Sequence, residues 1–256
     1  MSNKVNISYG VHHSQYGVLR VPKGKEPHPV IVTIHGGFWQ SRFNLKENNP
    51  IAMDLTNRGY ATWNIEYRRV GEEGGGWTGT FNDVIDAINH LTHLKEPYSL
   101  DLSAVIIIGH SAGGQLALWL ASRNVQVKSD QTFNELIVPI KKVISLAGVT
   151  DLKKMWEFHK EKGVRSHVSA LIGGAPQEVA ERYKMVSPIE LLPIKIDQVL
   201  VHGMLDRHVP VEISKDYYLK ATEQGCNVSL VVLSDVEHFK IIDPTSTAWD
   251  SVIESI

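Results

Sequence analysis

Short, nearly unbroken apolar runs recur along the chain, separated by longer stretches whose apolar residues fall three and four positions apart. The runs are Val30–Ile34, Ala61–Ile65, Val105–Ile108, Val143–Leu146, Val199–Val201 and Val228–Leu233. Consecutive β-branched and apolar residues of this kind suit strands covered on both faces. Tyr16–Val21 alternates more and ends at Pro22, as an edge hairpin strand does. Thr80–Lys95, Ala112–Ser122 and Val211–Gln224 have helical period. In the first, Val84, Ile85, Ile88 and Leu91 form one stripe, and Asn82, Asp83, Asp86 and Asn89 are expected to face away from it. Strand and helix in alternation require right-handed crossovers and a mainly parallel sheet. The pattern therefore predicts one α/β domain over residues 1–256, with helices on both faces of the sheet.

The alternation lapses once. Asp151–Pro193 holds helical pieces and no strand between Leu146 and Val199. It is expected to be a small cap-like insertion, residues 151–193, past the carboxyl end of a strand, where open α/β sheets bind ligands. Trp249–Ile256 is amphipathic and either covers the sheet or pairs with a second copy in a homodimer.

Composition narrows the partners. Lys+Arg 26 against Asp+Glu 28 leaves a net charge of −2, which gives no electrostatic case for nucleic acid or an anionic membrane. With 43% hydrophobic and 21% charged residues the chain is not intrinsically disordered. Cys226 is alone, so there is no internal disulfide and no Cys/His metal spacing. His12, His13 and His28 fit no usual zinc pattern and read as exposed loop residues, so no metal site is expected from them. MSNKVNISYG lacks the apolar stretch of a signal peptide, and no run approaches the roughly 20 apolar residues of a membrane span. A soluble, cytoplasmic domain is the expectation.

The chemistry concentrates in three turns. Val105–Ile108 runs into Gly109-His110-Ser111-Ala112-Gly113 and then an Ala/Leu-rich helix, which is the strand-turn-helix setting that makes Gly-x-Ser-x-Gly meaningful. A sharp turn there exposes the Ser111 hydroxyl, and the helix start behind it offers N–H donors for a developing oxyanion. The bland alternative is a glycine-bracketed turn with an idle serine.

A serine hydroxyl needs a base to take its proton, and the base needs an acid to orient it. His238 follows the Val228–Leu233 run, and Asp206 follows Val199–Val201. Both are placed on the rim that carries Ser111, in the chain order Ser, Asp, His. His202, read as a packed core residue, and His208, read as a loop hydrogen-bonder, compete as bases. Asp235, too near His238 in the chain, and Asp151 compete as acids.

Val30–Ile34 runs into His35-Gly36-Gly37-Phe38-Trp39, where glycines let backbone approach a substrate carbonyl. The N–H groups of Gly37 or Phe38, with that of Ala112, are candidate oxyanion donors, and His35 is expected to brace the loop. Trp39, Trp77 and Phe239 are candidate substrate-contacting aromatics, with plain packing as the alternative. Met155, Trp156, Phe158 and Tyr183 suit either a lid or a helix covering the sheet. Arg68 and Arg69 read as salt-bridge partners of Glu66 or Asp83.

From about residue 15 onward the chain resembles the α/β-hydrolase superfamily. The similarity is to its small esterase branch with His-Gly-Gly-x-Trp, which includes kynurenine formamidase-like proteins and relatives of prolyl oligopeptidase-type hydrolases. The marks are His35-Gly36-Gly37-Phe38-Trp39, Glu66-Tyr67-Arg68-Arg69, Gly74-Gly75-Gly76-Trp77, Gly109-His110-Ser111-Ala112-Gly113-Gly114, His202-Gly203 with Asp206 and Val209-Pro210, and His238-Phe239. The resemblance implies Ser111 as nucleophile, Asp206 as acid, His238 as base, an oxyanion hole from Gly37/Phe38 and Ala112, and ester hydrolysis without a cofactor. No propeller domain is expected ahead of the hydrolase fold. Phe38, standing where relatives carry a third glycine, is expected to narrow the acyl side and to disfavour bulky tertiary-alcohol esters. Cleavage of N-formylkynurenine or of small amides is the alternative activity, and a non-catalytic binding protein the remote one.

Overall fold

The computed structural model describes residues 3–123 and 131–256. Eight strands form one sheet: β1 (Asn3–Ser8), β2 (Tyr16–Val21), β3 (His28–Ile34), β4 (Ala61–Ile65), β5 (Leu100–His110), β6 (Ile140–Leu146), β7 (Asp197–Gly203) and β8 (Val228–Leu233). Their spatial order is β1-β2-β4-β3-β5-β6-β7-β8, antiparallel around β2 and parallel from β4 to β8. The apolar runs read from the sequence lie within β3 to β8 and coincide with β4 and β8. β3, β5, β6 and β7 extend past theirs through residues such as His28, Asp101, Lys141 and Asp197, because strand pairing continues past the apolar core.

β2 is not the edge. It pairs with β4 on one side and with β1 on the other. β1, Asn-Lys-Val-Asn-Ile-Ser, is largely exposed and carries too few apolar residues to stand out. Such a short, charged, solvated strand is how sheets blunt an open edge.

Successive residues of β3 serve opposite faces of the sheet, as period-2 geometry requires. Val30, Val32 and Ile34 join the larger core cluster, while Ile31 joins a second one. The second cluster is closed by α1 (Asn49–Asn57) through Ile51 and Leu55, and by α9 (Thr247–Ile253) through Ala248, Trp249 and Val252. Trp249 is fully buried and donates from Nε1 to Asp54 Oδ2 at 2.8 Å, so the C-terminal stretch covers the sheet.

The larger cluster is closed by α2 (Gly79–Asn89), α4 (Ala112–Ser122) and α8 (Val211–Glu223), with α3 (Leu91–Leu94) following α2 after a break at His90. Asp83 does not face away from the α2 stripe. It is fully buried and accepts from Arg68 N, Nε and Nη2 and from Gln15 Nε2. A tertiary salt bridge turned that helical face inward, which periodicity cannot register.

Between β6 and β7 lie α5 (Leu152–Glu161), α6 (His167–Ile172) and α7 (Ala180–Val186), helices without an intervening strand. Their inner residues Leu152, Met155, Val168, Leu171 and Tyr183 belong to the larger core. Among the described residues no helix is long and apolar enough to cross a membrane.

Candidate active site

β5 ends at His110 and α4 begins at Ala112, so Ser111 alone turns strand into helix. It does so at φ 55° and ψ −117°, a sparsely populated conformation that costs on the order of 1–3 kcal/mol for a side chain with a Cβ. The surroundings hold it there. A Cβ on Gly113 would lie 2.1 Å from the Ile34 carbonyl oxygen, so helix and β3 approach at a distance that only glycine permits. Ser111 N–H donates to Leu146 O at 2.8 Å, fastening the turn to β6.

Asp206 and His238 emerge beyond β7 and β8. His238 Nδ1–H donates to Asp206 Oδ2 at 2.5 Å. The Asp206 side chain is fully buried; Oδ1 accepts from the N–H groups of His208 (2.8 Å) and Val209 (2.9 Å), and Oδ2 also meets His202 Nε2 at 3.2 Å. Burial opposes ionisation of this carboxyl. The hydrogen bonds from His202 and His238 and the charge of His238 outweigh it and hold the carboxyl well below the usual range.

His238 is only 5% exposed, and burial pushes its imidazole down to about 4. The bond to Asp206 pulls the other way, while the charges of His110 and His208 add to burial. At neutral pH the ring is therefore uncharged, with a proton on Nδ1 and a lone pair on Nε2.

Neither that Nε2 nor Ser111 Oγ has a hydrogen-bond partner among the described residues, so the Ser111–His238 contact is not closed in this structure. Bonds of this kind are often long without substrate and tighten in the complex. His110 links the two turns. Its ring lies 4.6 Å from that of His238, its Nε2 is 3.1 Å from His238 O, and its backbone leads directly into Ser111.

The competing bases and acids sit where other tasks occupy them. His202 is fully buried, with Nδ1 on Ser214 Oγ at 2.7 Å and Nε2 on Val209 O at 3.0 Å. His208 lies on the exposed loop with its ring 5.0 Å from that of His238. Asp151 caps α5, accepting from Lys154 N at 3.0 Å.

After β3 the chain passes through Gly37, Phe38 and Trp39 with φ of 94°, 48° and 56°. This turn lies against the serine: a Cβ on Gly36 would be 3.0 Å from Ser111 Cβ. The N–H groups of Gly37, Phe38 and Ala112 donate to no group among the described residues, which leaves them open to a developing oxyanion.

A buried frame carries the turn. His35 places Nε2 2.7 Å from Glu66 Oε1 and Nδ1 2.8 Å from Gly36 O. Glu66 also accepts from Leu45 N and pairs with Arg69 Nη1 at 3.0 Å. Tyr67 OH donates to His35 O at 2.9 Å. Glu47 was not anticipated. Its Oε1 meets both Gly36 N–H at 3.2 Å and His110 Nδ1 at 2.5 Å, joining the glycine turn after β3 to the serine turn. Burial would raise its carboxyl, but the bond to His110 and the charges of His110 and His35 bring it to about 2. No motif marks Glu47, because its role depends on a 63-residue contact.

The aromatic candidates divide. Trp39 presents no face to a substrate: it is 0% exposed and its Nε1 donates to Gln115 Oε1 at 3.1 Å, so it anchors the turn in the core. Trp77 is half-buried edge-on to Phe81 and Phe133, with the Arg182 guanidinium 5.3 Å over its ring. Phe239 is 53% exposed, and its ring centre lies 5.0 Å from that of His238. Phe38 points at α5 and α6, stacked on His167 at 5.0 Å and edge-on to His159 at 5.3 Å. On α5 and α7 Met155 and Tyr183 are buried, and Trp156 and Phe158 half-buried.

One grouping escaped the spacing argument for metals, because its acid comes from another loop. His12, His13 and Glu72 bring ligand atoms within 4.8 Å of one another, although Glu72 is already engaged by Arg69 and Ser14.

A mostly parallel sheet with a strained serine at a strand-to-helix turn defines the α/β-hydrolase class. Residues 18–220 match the BD-FAE family, and the chain belongs to it. It is 21% identical over 242 residues to kynurenine formamidase of Danio rerio, covering 93% of this chain and 75% of that one. Esterase EstD of Thermotoga maritima is 24% identical over 245 residues, 88% of this chain and 58% of its own length. Among solved structures, esterase B from Lactobacillus rhamnosis superposes with a TM-score of 0.84 at 17% identity, over 100% of this chain and 83% of that one. A truncated carbohydrate esterase from gut microbiota gives 0.83 at 21% identity, over 100% and 94%.

Proposed function

We propose that the protein is a serine hydrolase that cleaves carboxylic esters of small molecules through an acyl-enzyme on Ser111. His238 Nε2 takes the Ser111 proton as Oγ attacks the ester carbonyl carbon. The carbonyl π electrons move onto oxygen, which is held by the N–H groups of Ala112 and of Gly37 or Phe38. Loss of one such donor typically costs about 2.7–4 kcal/mol of barrier. The intermediate collapses, the C–O bond to the alcohol breaks, and the leaving alkoxide takes the proton from His238. Water then gives a proton to His238 and attacks the acyl carbon, and Oγ departs with that proton, releasing the acid.

What supports this reading most is the buried Asp206–His238 pair, whose free Nε2 belongs to a ring in contact with the residue preceding a positive-φ serine. The esterases among the relatives and structural neighbours support the same chemistry. Labelling by a fluorophosphonate probe tests it: wild type takes up the probe at Ser111 and Ser111→Ala takes up none. Persistent labelling in the variant moves the nucleophile elsewhere.

Formamide cleavage is the second reading, favoured by the similarity to kynurenine formamidase along 93% of the chain. The same acyl transfer would then expel an aniline. Turnover of N-formylkynurenine against 4-nitrophenyl acetate ranks the two.

A further inference from the structure

Two arginines neighbour aromatic rings that border the Gly37–Trp39 turn. Arg42 lies 5.0 Å over the Phe43 ring, and Phe43 presses on Gly37 so closely that a Cβ there would come within 2.3 Å of Phe43 Cβ. On the other side, the Phe38 ring stacks on His167, and Arg165 stands two residues before it in the exposed link between α5 and α6. Phe38 is itself two residues from Gly36, at most about 7 Å of backbone, and Gly36 touches Ser111.

The arginines between α1 and α2 are matched with acids, whereas Arg20 bonds Asn49 and Arg182 bonds Ile172 O. Arg58 pairs with Asp54, Arg68 with Asp83, and Arg69 with Glu66 and Glu72. Arg42 and Arg165 pair with no carboxylate among the described residues. Their charges also act together on His167, adding to burial in lowering its affinity for a proton.

Arg165 also lines a cleft of about 380 Å³ with Trp156, Lys160, Val164, Ser166 and Ser169, and no acidic side chain lines it. The Lys160 ammonium sits 5.4 Å over the Trp156 ring, so the cleft combines an apolar wall with a cationic rim.

We infer that the substrate of this hydrolase is an ester bearing a carboxylate away from the scissile bond, and that Arg42 and Arg165 bind that carboxylate beside the oxyanion turn. The inference rests on the ester-hydrolase reading and adds the charge of the substrate to it. A planar guanidinium meets a carboxylate with two parallel N–H···O bonds, which fixes orientation as well as affinity. The carboxylate would supply the acid that the protein itself withholds from these two side chains.

Two matched pairs of esters test it, each differing only in charge: 4-acetoxybenzoate against its methyl ester, and mono-4-nitrophenyl glutarate against its methyl ester. The first pair carries the charge on the leaving group and the second on the acyl group. In at least one pair kcat/KM favours the anion by about tenfold at low salt, and the preference shrinks as salt screens the exposed charges. Arg42→Gln/Arg165→Gln lowers the anion-to-neutral ratio in that pair about tenfold, while Arg58→Gln, in the surface pair on α1, leaves the ratio alone. Equal turnover of anion and neutral ester in both pairs overturns the inference, as does a preference that survives the double substitution. If none of the four esters is cleaved, the ester-hydrolase reading falls first and takes this one with it.

Discussion

Beyond β3, His35 Nε2 lies 2.7 Å from Glu66 Oε1; beyond β7 and β8, His238 Nδ1 lies 2.5 Å from Asp206 Oδ2. Both are buried histidine–carboxylate pairs at the same edge of the sheet. Both ring nitrogens of His35 are occupied, one by Glu66 and the other by Gly36 O. Its carboxylate is tied further to Leu45 N and Arg69. His238 has one nitrogen on Asp206 and one left over, in a ring packed on the residue before Ser111. The pairing of residue types is common to both sites. The unpaired nitrogen separates a brace from the proposed base.

The largest effect expected on this contrast comes from removing each ring in turn. His238→Gln lowers kcat for 4-nitrophenyl acetate about 10⁵–10⁶-fold while the thermal midpoint stays near wild type. His35→Gln lowers the midpoint and costs far less per folded molecule. If the two variants lose equal kcat at equal stability, the distinction fails.

Next, Asp206→Asn costs about 10⁴-fold in kcat with little change in KM, because the amide favours the wrong tautomer of His238. Steady-state kinetics reads this directly. Glu66→Ala acts on stability instead. It strips a buried partner from both Arg69 and His35 and costs about 3–5 kcal/mol, visible as a lower urea midpoint.

A smaller effect concerns pH. The base must be uncharged, so kcat/KM rises with pH through the pKa of His238 in the folded enzyme. An ordinary histidine would put that limb near 6.5; burial moves it down to about 4, and activity is retained well into mildly acid solution. The same shift works against stability. The unfolded chain takes up a proton near pH 6.5 that the folded ring refuses until about 4, so stability falls across that window as pH is lowered. A limb at 6–7 in the pH profile contradicts the burial argument. The smallest expected change is His208→Gln: removing a neighbouring charge that depresses His238 moves the limb upward.

How much of this was legible depends on the range of the interactions. The six central strands, α4, α8 and the absence of a strand in 151–193 follow from local pattern, because burial on both faces leaves its trace in consecutive residues. β1 left none, being short and solvated. Asp83 misled the helical pattern because a buried arginine pair outweighs the usual preference of a carboxylate for water. Trp39 beside a glycine turn looked available to substrate, yet its ring fills the core under that turn. Glu47, whose contact with His110 spans 63 residues, has no local signature at all.

By itself the sequence determined that strands and helices alternate, that glycines bracket one serine, and that an acid and a histidine follow at successive strand ends. Those are matters of spacing and side-chain volume along the chain. Which nitrogen of which histidine stays unpaired, how far burial depresses it, and which arginines are left without an acid were decided only by tertiary structure. Each depends on groups tens to more than a hundred residues apart, and desolvation and hydrogen bonding act between atoms that packing alone brings together.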